Sequence, residues 1–206
     1  MNYKILTDNG SASATLWFLG WGFDDNIEQY INPTGTTILL WDYSDLNLSL
    51  DLGRWSEFDV KAWSMGVWAA ESFLAAHPDL HITSRTAIAG TPRPADAAQG
   101  IGAEAIQLTI SNWCDANRAK FARKIAHSAA LTPTVAALMT TRSLDSQSAE
   151  LQHILDAQSA TQPEPTTWDV AIIGSRDRIF PPASQHAWWD SHAHQVIDRD
   201  MPHWPF

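Results

Sequence analysis

The chain has 206 residues, 45% of them hydrophobic and 17% charged, with a formal net charge of −10 at pH 7. That length suits one domain with room for an inserted segment, and it is enough to bury a substantial core. The acidic balance argues against non-specific nucleic-acid binding, which needs a basic face. Cys114 is the sole cysteine, so neither an intramolecular disulfide nor a thiolate metal cluster is available. With the start at Met1-Asn-Tyr-Lys4, which lacks an apolar leader, this favours a reducing cytoplasm as the expected location. No apolar run approaches the ~20 residues of a membrane span.

In chain order, residues 14–19 form an apolar run that ends at Gly20-Trp-Gly22, and residues 36–41 form a second, closed by Asp42 to Asp45. Residues 57–62 read as a third strand, because Asp59 and Lys61 alternate with Phe58, Val60 and Ala62. Helix formers then fill Val67 to His77 and stop at Pro78. Residues 85–89 give a fourth strand ending in Gly90-Thr-Pro92, and residues 168–173 a fifth ending in Gly174-Ser-Arg-Asp177. A helix is expected over 182–190 and a short sixth strand over 195–198. Short apolar strands alternating with helices predict an α/β fold: a mainly parallel sheet with helices on both faces.

The interval 93–166 breaks this alternation. One helix is expected from Asn112 to His127, and another after Thr132 as N-cap with Pro133 behind it. A third carries the apolar stripe Leu151, Ile154 and Leu155, and residues 162–167 read as a proline-bearing linker back to the sheet. The expected division is a core of residues 1–92 and 167–206 with a helical cap at 93–166.

Ala62-Trp-Ser-Met-Gly66 is the stretch around which the rest is organised. It has the spacing of the Gly-x-Ser-x-Gly nucleophile elbow, with Ala62 in place of the first glycine. Small residues are needed two positions either side of Ser64, because the strained turn presses strand against helix. An elbow serine needs a base and an orienting acid. Asp177 lies just beyond a strand end and His203 after the last strand, so the order Ser64, Asp177, His203 is that of the α/β-hydrolases. Asp198 and Asp200 are rival acids, less favoured because both lie so near His203 in sequence. The Trp21 and Met65 backbone N–H groups are candidates for an oxyanion hole, the first in a glycine turn and the second at a helix start.

Two further clusters need a reading. His186, Asp190, His192 and His194 can suggest a metal site, but exposed polar residues at a helix end are the simpler account. Arg118, Lys120, Arg123 and Lys124 place four of thirteen basic residues within seven positions. Such a run is ordinarily a solvated helix face, and on an acidic protein it is also a candidate docking patch for an acidic partner.

Several of these motifs together resemble the α/β-hydrolase esterases of biotin synthesis, the pimeloyl-[acyl-carrier protein] methyl ester esterases, and among them the short BioG-type branch. They are Leu19-Gly-Trp-Gly22, Ala62-Trp-Ser-Met-Gly66, Gly90-Thr-Pro92 with Gly100-Ile-Gly102, Gly174-Ser-Arg-Asp177 and Pro202-His-Trp-Pro-Phe206. The resemblance implies that Ser64 attacks the methyl ester at the far end of a pimeloyl chain carried on acyl carrier protein, with no metal or organic cofactor. It also implies that Gly20, Trp63 and the four basic residues serve substrate or partner binding, and the chain is expected to be a monomer. Leu19, where related esterases carry histidine, and Ala62 depart from the pattern without removing a catalytic atom. A general short-chain carboxylesterase and a catalytically silent binding protein are the other readings of the same motifs.

Overall fold

A computed structural model describes residues 1–158 and 164–206, and it is an α/β-hydrolase fold built on a seven-stranded sheet. The strands are β1 (Asn2–Thr7), β2 (Ser13–Phe18), β3 (Thr37–Trp41), β4 (Glu57–Trp63), β5 (Ile82–Ile88), β6 (Trp168–Gly174) and β7 (Ala193–Arg199). Their order in the sheet is β1-β3-β2-β4-β5-β6-β7. Among the described residues only β1 runs antiparallel, against β3, and the other pairings are parallel. The six strands expected from sequence are all present within a few residues of their expected ends. β1 is the one not expected: Asn2–Thr7 lies at the sheet edge, half exposed, and lacks the apolar run that marks the central strands.

Burial follows the pattern of the sequence. β2 and β3 contribute Leu16, Phe18, Ile38, Leu39 and Leu40, all fully enclosed, while β4 alternates between buried Phe58, Val60 and Ala62 and half-buried Asp59 and Lys61. Helix α1 (Gly66–Ala76) packs on β4 and β2, and α6 (Pro182–His192) on β6 and β7. α1 buries eight of its eleven residues, including a carboxylate: Glu71 accepts from Thr166 N, Thr166 Oγ1 and Trp168 Nε1 at 2.8–2.9 Å, which fixes the start of β6.

Among the described residues, four helices lie between β5 and β6: α2 (Ala103–Ser111), α3 (Asp115–Ala126), α4 (Thr132–Met139) and α5 (Leu144–Gln158). α2 packs against α5 and α3 against α4. The helix expected from Asn112 begins instead at Asp115, and residues 112–114 form the break behind α2. Pro133 sits in the first turn of α4 as expected, but the cap position is Leu131, one residue before Thr132. Part of the expected linker, Gln162 and Pro163, lies outside the described residues. No helix among the described residues is long and apolar enough to cross a membrane.

The sheet's register decides where function can sit. Phe18 pairs with Ala62, Trp63 with Ile88, and Ile88 with Ile172, so the strands end at one level. The chain leaves β2 toward β3 and returns to β4 on β2's other side. The crevice beyond β2 and β4 is therefore the switch point at which ligands bind in open parallel sheets.

Candidate active site

Ser64 is the first residue past β4 and has φ 59°, a left-handed conformation costly for a residue with a Cβ. The turn survives because both flanks are over-determined. Ser64 donates its N–H to Ile88 O at 2.9 Å and accepts Val67 N–H at 3.1 Å. Gly66 allows the close approach behind it, since a Cβ there would lie 2.5 Å from Phe18 O and Leu19 O. This is the strand-turn-helix context that the motif required.

The structure brings the three expected residues together. The His203 Nε2 atom lies 2.9 Å from Ser64 Oγ, and His203 Nδ1 lies 2.8 Å from Asp177 Oδ2. All three are buried, at 5%, 2% and 6% exposure for Ser64, His203 and Asp177, so no bulk water screens the chain of contacts. In the tautomer whose Nδ1–H donates to the carboxylate, Nε2 is left to accept from the serine hydroxyl. The arrangement can therefore take a proton from Ser64 without moving a heavy atom far.

Each member is held by its own fold element. Asp177 Oδ1 accepts from Ile179 N at 2.7 Å and Phe180 N at 3.0 Å, which orients the carboxylate in the turn after β6. Gln185 on α6 donates to Asp177 Oδ2 at 3.2 Å and to Phe180 O at 2.8 Å. The Phe180 ring lies parallel to the His203 ring, 6.1 Å away. The rival acids are committed elsewhere: Asp198 to His186 at 3.0 Å and Asp200 to Arg176 at 2.7 Å.

Ser64 opens onto a cavity of ≈ 330 Å³ lined by Trp21, Met65, Ile101, Ile106, Leu151 and Ile179 among others. Trp21 and Met65, whose N–H groups are the expected oxyanion donors, line this cavity together with Ser64. A second groove of ≈ 310 Å³, lined by Asn112, Trp113, Asn117 and Lys120, shares Leu108, Thr109, Phe121 and Lys124 with the first. The two together run from Ser64 to the outer face of α2 and α3.

Three expected binding residues are corrected: Gly20, Trp63 and Arg118 are buried, and Gly20, like Trp63, is not among the cavity's lining residues. Trp63 does not line the cavity; fully enclosed, it donates its indole N–H to His203 O at 2.9 Å and packs on Phe23, Trp204 and Phe206. It steadies the histidine backbone from beneath, and Gly20 lies against its ring, where a Cβ would come within 3.0 Å. Arg118 is not on a docking face either. It is 8% exposed, paired with Asp115 at 2.6 Å, and it donates to Arg142 O and Met139 O. Burial of a long cation demands such partners. Lys120, Arg123 and Lys124 are exposed. The histidine cluster resolves into separate contacts: His186 bridges Asp190 and Asp198, while His192 stacks on Trp188. Among the described residues no group of three or more His, Cys, Asp or Glu is arranged to hold a metal ion.

Sequence reasoning missed the polar residues that hold the glycine turn. Gln147 and Glu150 on α5 are fully buried and reach Gly22, and Arg142 pairs with Glu150 at 2.6 Å. Their only signal was one polar face of an otherwise ordinary helix.

Comparison with known proteins gives the context. A crystal structure of BioG from Haemophilus influenzae matches with a TM-score of 0.88 and 31% identity, covering 98% of this chain and 94% of that one. An esterase from Exiguobacterium antarcticum matches with a TM-score of 0.73 at 13% identity, covering 98% and 88%, a likeness of fold. In sequence, a malonyl-[acyl-carrier protein] O-methyltransferase of Bacteroides fragilis is 32% identical over 93% of this chain, and the match spans only 39% of that protein. A protein of H. influenzae, described as uncharacterized, is 35% identical over 84% of this chain and 80% of its own length. The family model described as pimeloyl-ACP methyl esterase BioG matches residues 1–206, and the chain belongs to that family of esterases.

Proposed function

We propose that this chain is a serine esterase that hydrolyses the methyl ester of a pimeloyl group carried on acyl carrier protein. The observation that carries the reading is the buried Asp177–His203–Ser64 hydrogen-bond chain at the floor of an apolar cavity. Ser64 Oγ attacks the ester carbonyl while His203 Nε2 takes its proton. The oxyanion that forms is received by the N–H groups of Trp21 and Met65, each such donor contributing roughly 3–4 kcal/mol of transition-state stabilisation. The tetrahedral intermediate collapses, His203 returns the proton to the departing methoxide, and methanol leaves. Water, deprotonated by the same imidazole, then releases the free carboxylate and restores Ser64.

The substrate assignment rests on shape and charge beside family membership. Ile101, Ile106, Leu151 and Ile179 suit a chain of methylenes, and the adjoining groove offers a route for the carrier's arm past Leu108, which is 66% exposed at its lip. In this reading α2–α5 are a cap over the strand ends, and Lys120, Arg123 and Lys124 present positive charge to an acidic carrier. The B. fragilis methyltransferase is named for methylating an acyl-carrier-bound acid. Removal of a methyl ester is the complementary step.

A fluorophosphonate probe tests the nucleophile directly. It is expected to label the unaltered protein at Ser64 and to leave Ser64→Ala, folded to the same circular-dichroism spectrum, unlabelled. Equal labelling of both would overturn the assignment.

A further inference from the structure

The Gly20-Trp-Gly22 turn is held by α5. The Gly22 N–H donates to Glu150 Oε2 at 3.4 Å, and Gly22 O accepts from Gln147 Nε2 at 2.9 Å. The Trp21 indole N–H donates to Gln147 O at 2.7 Å. Within the turn, Gly20 O accepts Phe23 N–H at 3.4 Å, which fixes the peptide plane bearing the Trp21 N–H. Gly22 has φ +83°, and a Cβ there would meet Met139 Cε at 3.2 Å and Gln147 Nε2 at 3.3 Å, so the turn is seated directly on the Gln147 amide.

The two α5 side chains are themselves locked. Gln147 uses its whole amide: Nε2 also donates to Met139 O at 2.8 Å, while Oε1 accepts from Trp113 Nε1 at 3.1 Å and Arg118 at 3.4 Å. Glu150 pairs with Arg142 at 2.6 Å and accepts Tyr43 N–H at 3.1 Å. Tyr43 in turn donates its hydroxyl to Leu19 O at 2.8 Å, just upstream of the same turn. Two buried polar side chains thus bond the three-residue turn, with Arg142 and Tyr43 buried behind them, and each carries a desolvation cost that its partners offset.

We infer that Gln147 and Glu150 are positioning residues that aim the Trp21 N–H at the oxyanion. Through them the helical segment contributes to transition-state binding as well as to the cavity wall, since Leu151 on the same helix lines that wall. The inference rests on the serine-esterase reading above. Misplacing an oxyanion donor by about 1 Å costs on the order of 100-fold in rate.

The test is Gln147→Met, which keeps the length and removes the amide, and Glu150→Gln, which keeps the shape and removes the charge. Each is assayed with p-nitrophenyl butyrate, a trifluoromethyl ketone that forms a serine hemiketal, and the matching methyl ketone that does not. For the variants kcat/KM is expected to fall, and the trifluoromethyl ketone Ki to rise, by similar factors of roughly 10 to 100, with the methyl ketone Ki unchanged. A merely structural role would shift both ketones or neither. Folded variants with unaltered kcat/KM and Ki would overturn the inference. Hydrogen exchange on the unaltered protein gives an answer that needs no variant. The Gly22 amide is expected to be as protected as the central strands, and exchange at open-loop rates would overturn the inference as well. If the unaltered protein ignores the trifluoromethyl ketone, or Ser64→Ala loses no activity, the serine reading fails and the inference with it. If both controls hold and only the variants behave as wild type, the inference alone fails.

Discussion

Asp177 has each carboxylate oxygen committed twice, to Ile179 and Phe180 N–H on one side and to His203 and Gln185 on the other. Asp177→Asn is isosteric, but its amide can offer an N–H to His203 Nδ1 and so favour the tautomer whose Nε2 cannot accept the serine proton. In the serine-hydrolase reading kcat is expected to fall by about 10⁴ with little change in KM, measured by steady-state hydrolysis of p-nitrophenyl butyrate. A loss under tenfold would show that the carboxylate does not set the tautomer. The serine, acid and histidine were legible in the sequence because each follows a strand and their order is distinctive. Gln185 was not, because a glutamine within a helix carries no mark of the direction it faces. Trp63 and Arg118 were misread for the same reason: type and position in the chain do not reveal which side of an element a side chain takes.

At the scale of elements, two contacts tie helices to strands. Glu71 on α1 is the buried acceptor for three donors at the start of β6. Glu71→Leu leaves those donors unpaired, and stability is expected to fall by about 2–4 kcal/mol, read from urea unfolding. Glu71→Gln, which keeps one acceptor, is expected to lose less. Equal stability of Glu71→Leu and the unaltered protein would refute the role.

His186 joins α6 to β7 through Asp198 and pairs with Asp190 on its own helix, and the two carboxylates, Asp190 foremost, raise its pKa above the ordinary histidine value of 6.5. A raised folded value means that the bridge is fully present below pH 6.5 and is lost as pH climbs through the folded value. The difference in melting temperature between the unaltered protein and His186→Ala is therefore expected to be larger at pH 5.5 than at pH 8.5. It should be small throughout, because the pair is exposed. A difference independent of pH would remove the charge from the account. Strands β2 and β3 were legible because burial leaves apolar runs, β4 because buried Phe58, Val60 and Ala62 alternate with Asp59 and Lys61, and the other edge, β7, from its Val196-Ile197 pair. β1 was not, because an edge strand pairs through its backbone and needs no such run.

At the scale of the molecule, a chain of net charge −10 would by itself repel an acidic carrier. Lys120, Arg123 and Lys124 on α3 provide a local exception, beside the groove that leads to Ser64. Removing Arg118 from this set shrinks the patch to three cations. Steering by exposed charges acts chiefly on the association rate and is screened by salt. Arg123 lines neither groove, so Arg123→Glu is expected to lower kcat/KM for a carrier-bound ester severalfold at low ionic strength and to leave a free short-chain ester unaffected. Equal effects on both would mean that the charge acts within the site instead.

The most direct measurement follows the methyl ester of pimeloyl-acyl carrier protein by mass spectrometry after incubation with the unaltered protein and with Ser64→Ala, beside a free short-chain methyl ester. The account predicts conversion of the carrier-bound ester to the free acid by the unaltered protein, in preference to the free ester, and none by Ser64→Ala. A carrier-bound ester that stays intact while the free ester is cleaved would contradict it, and so would conversion by Ser64→Ala at an undiminished rate.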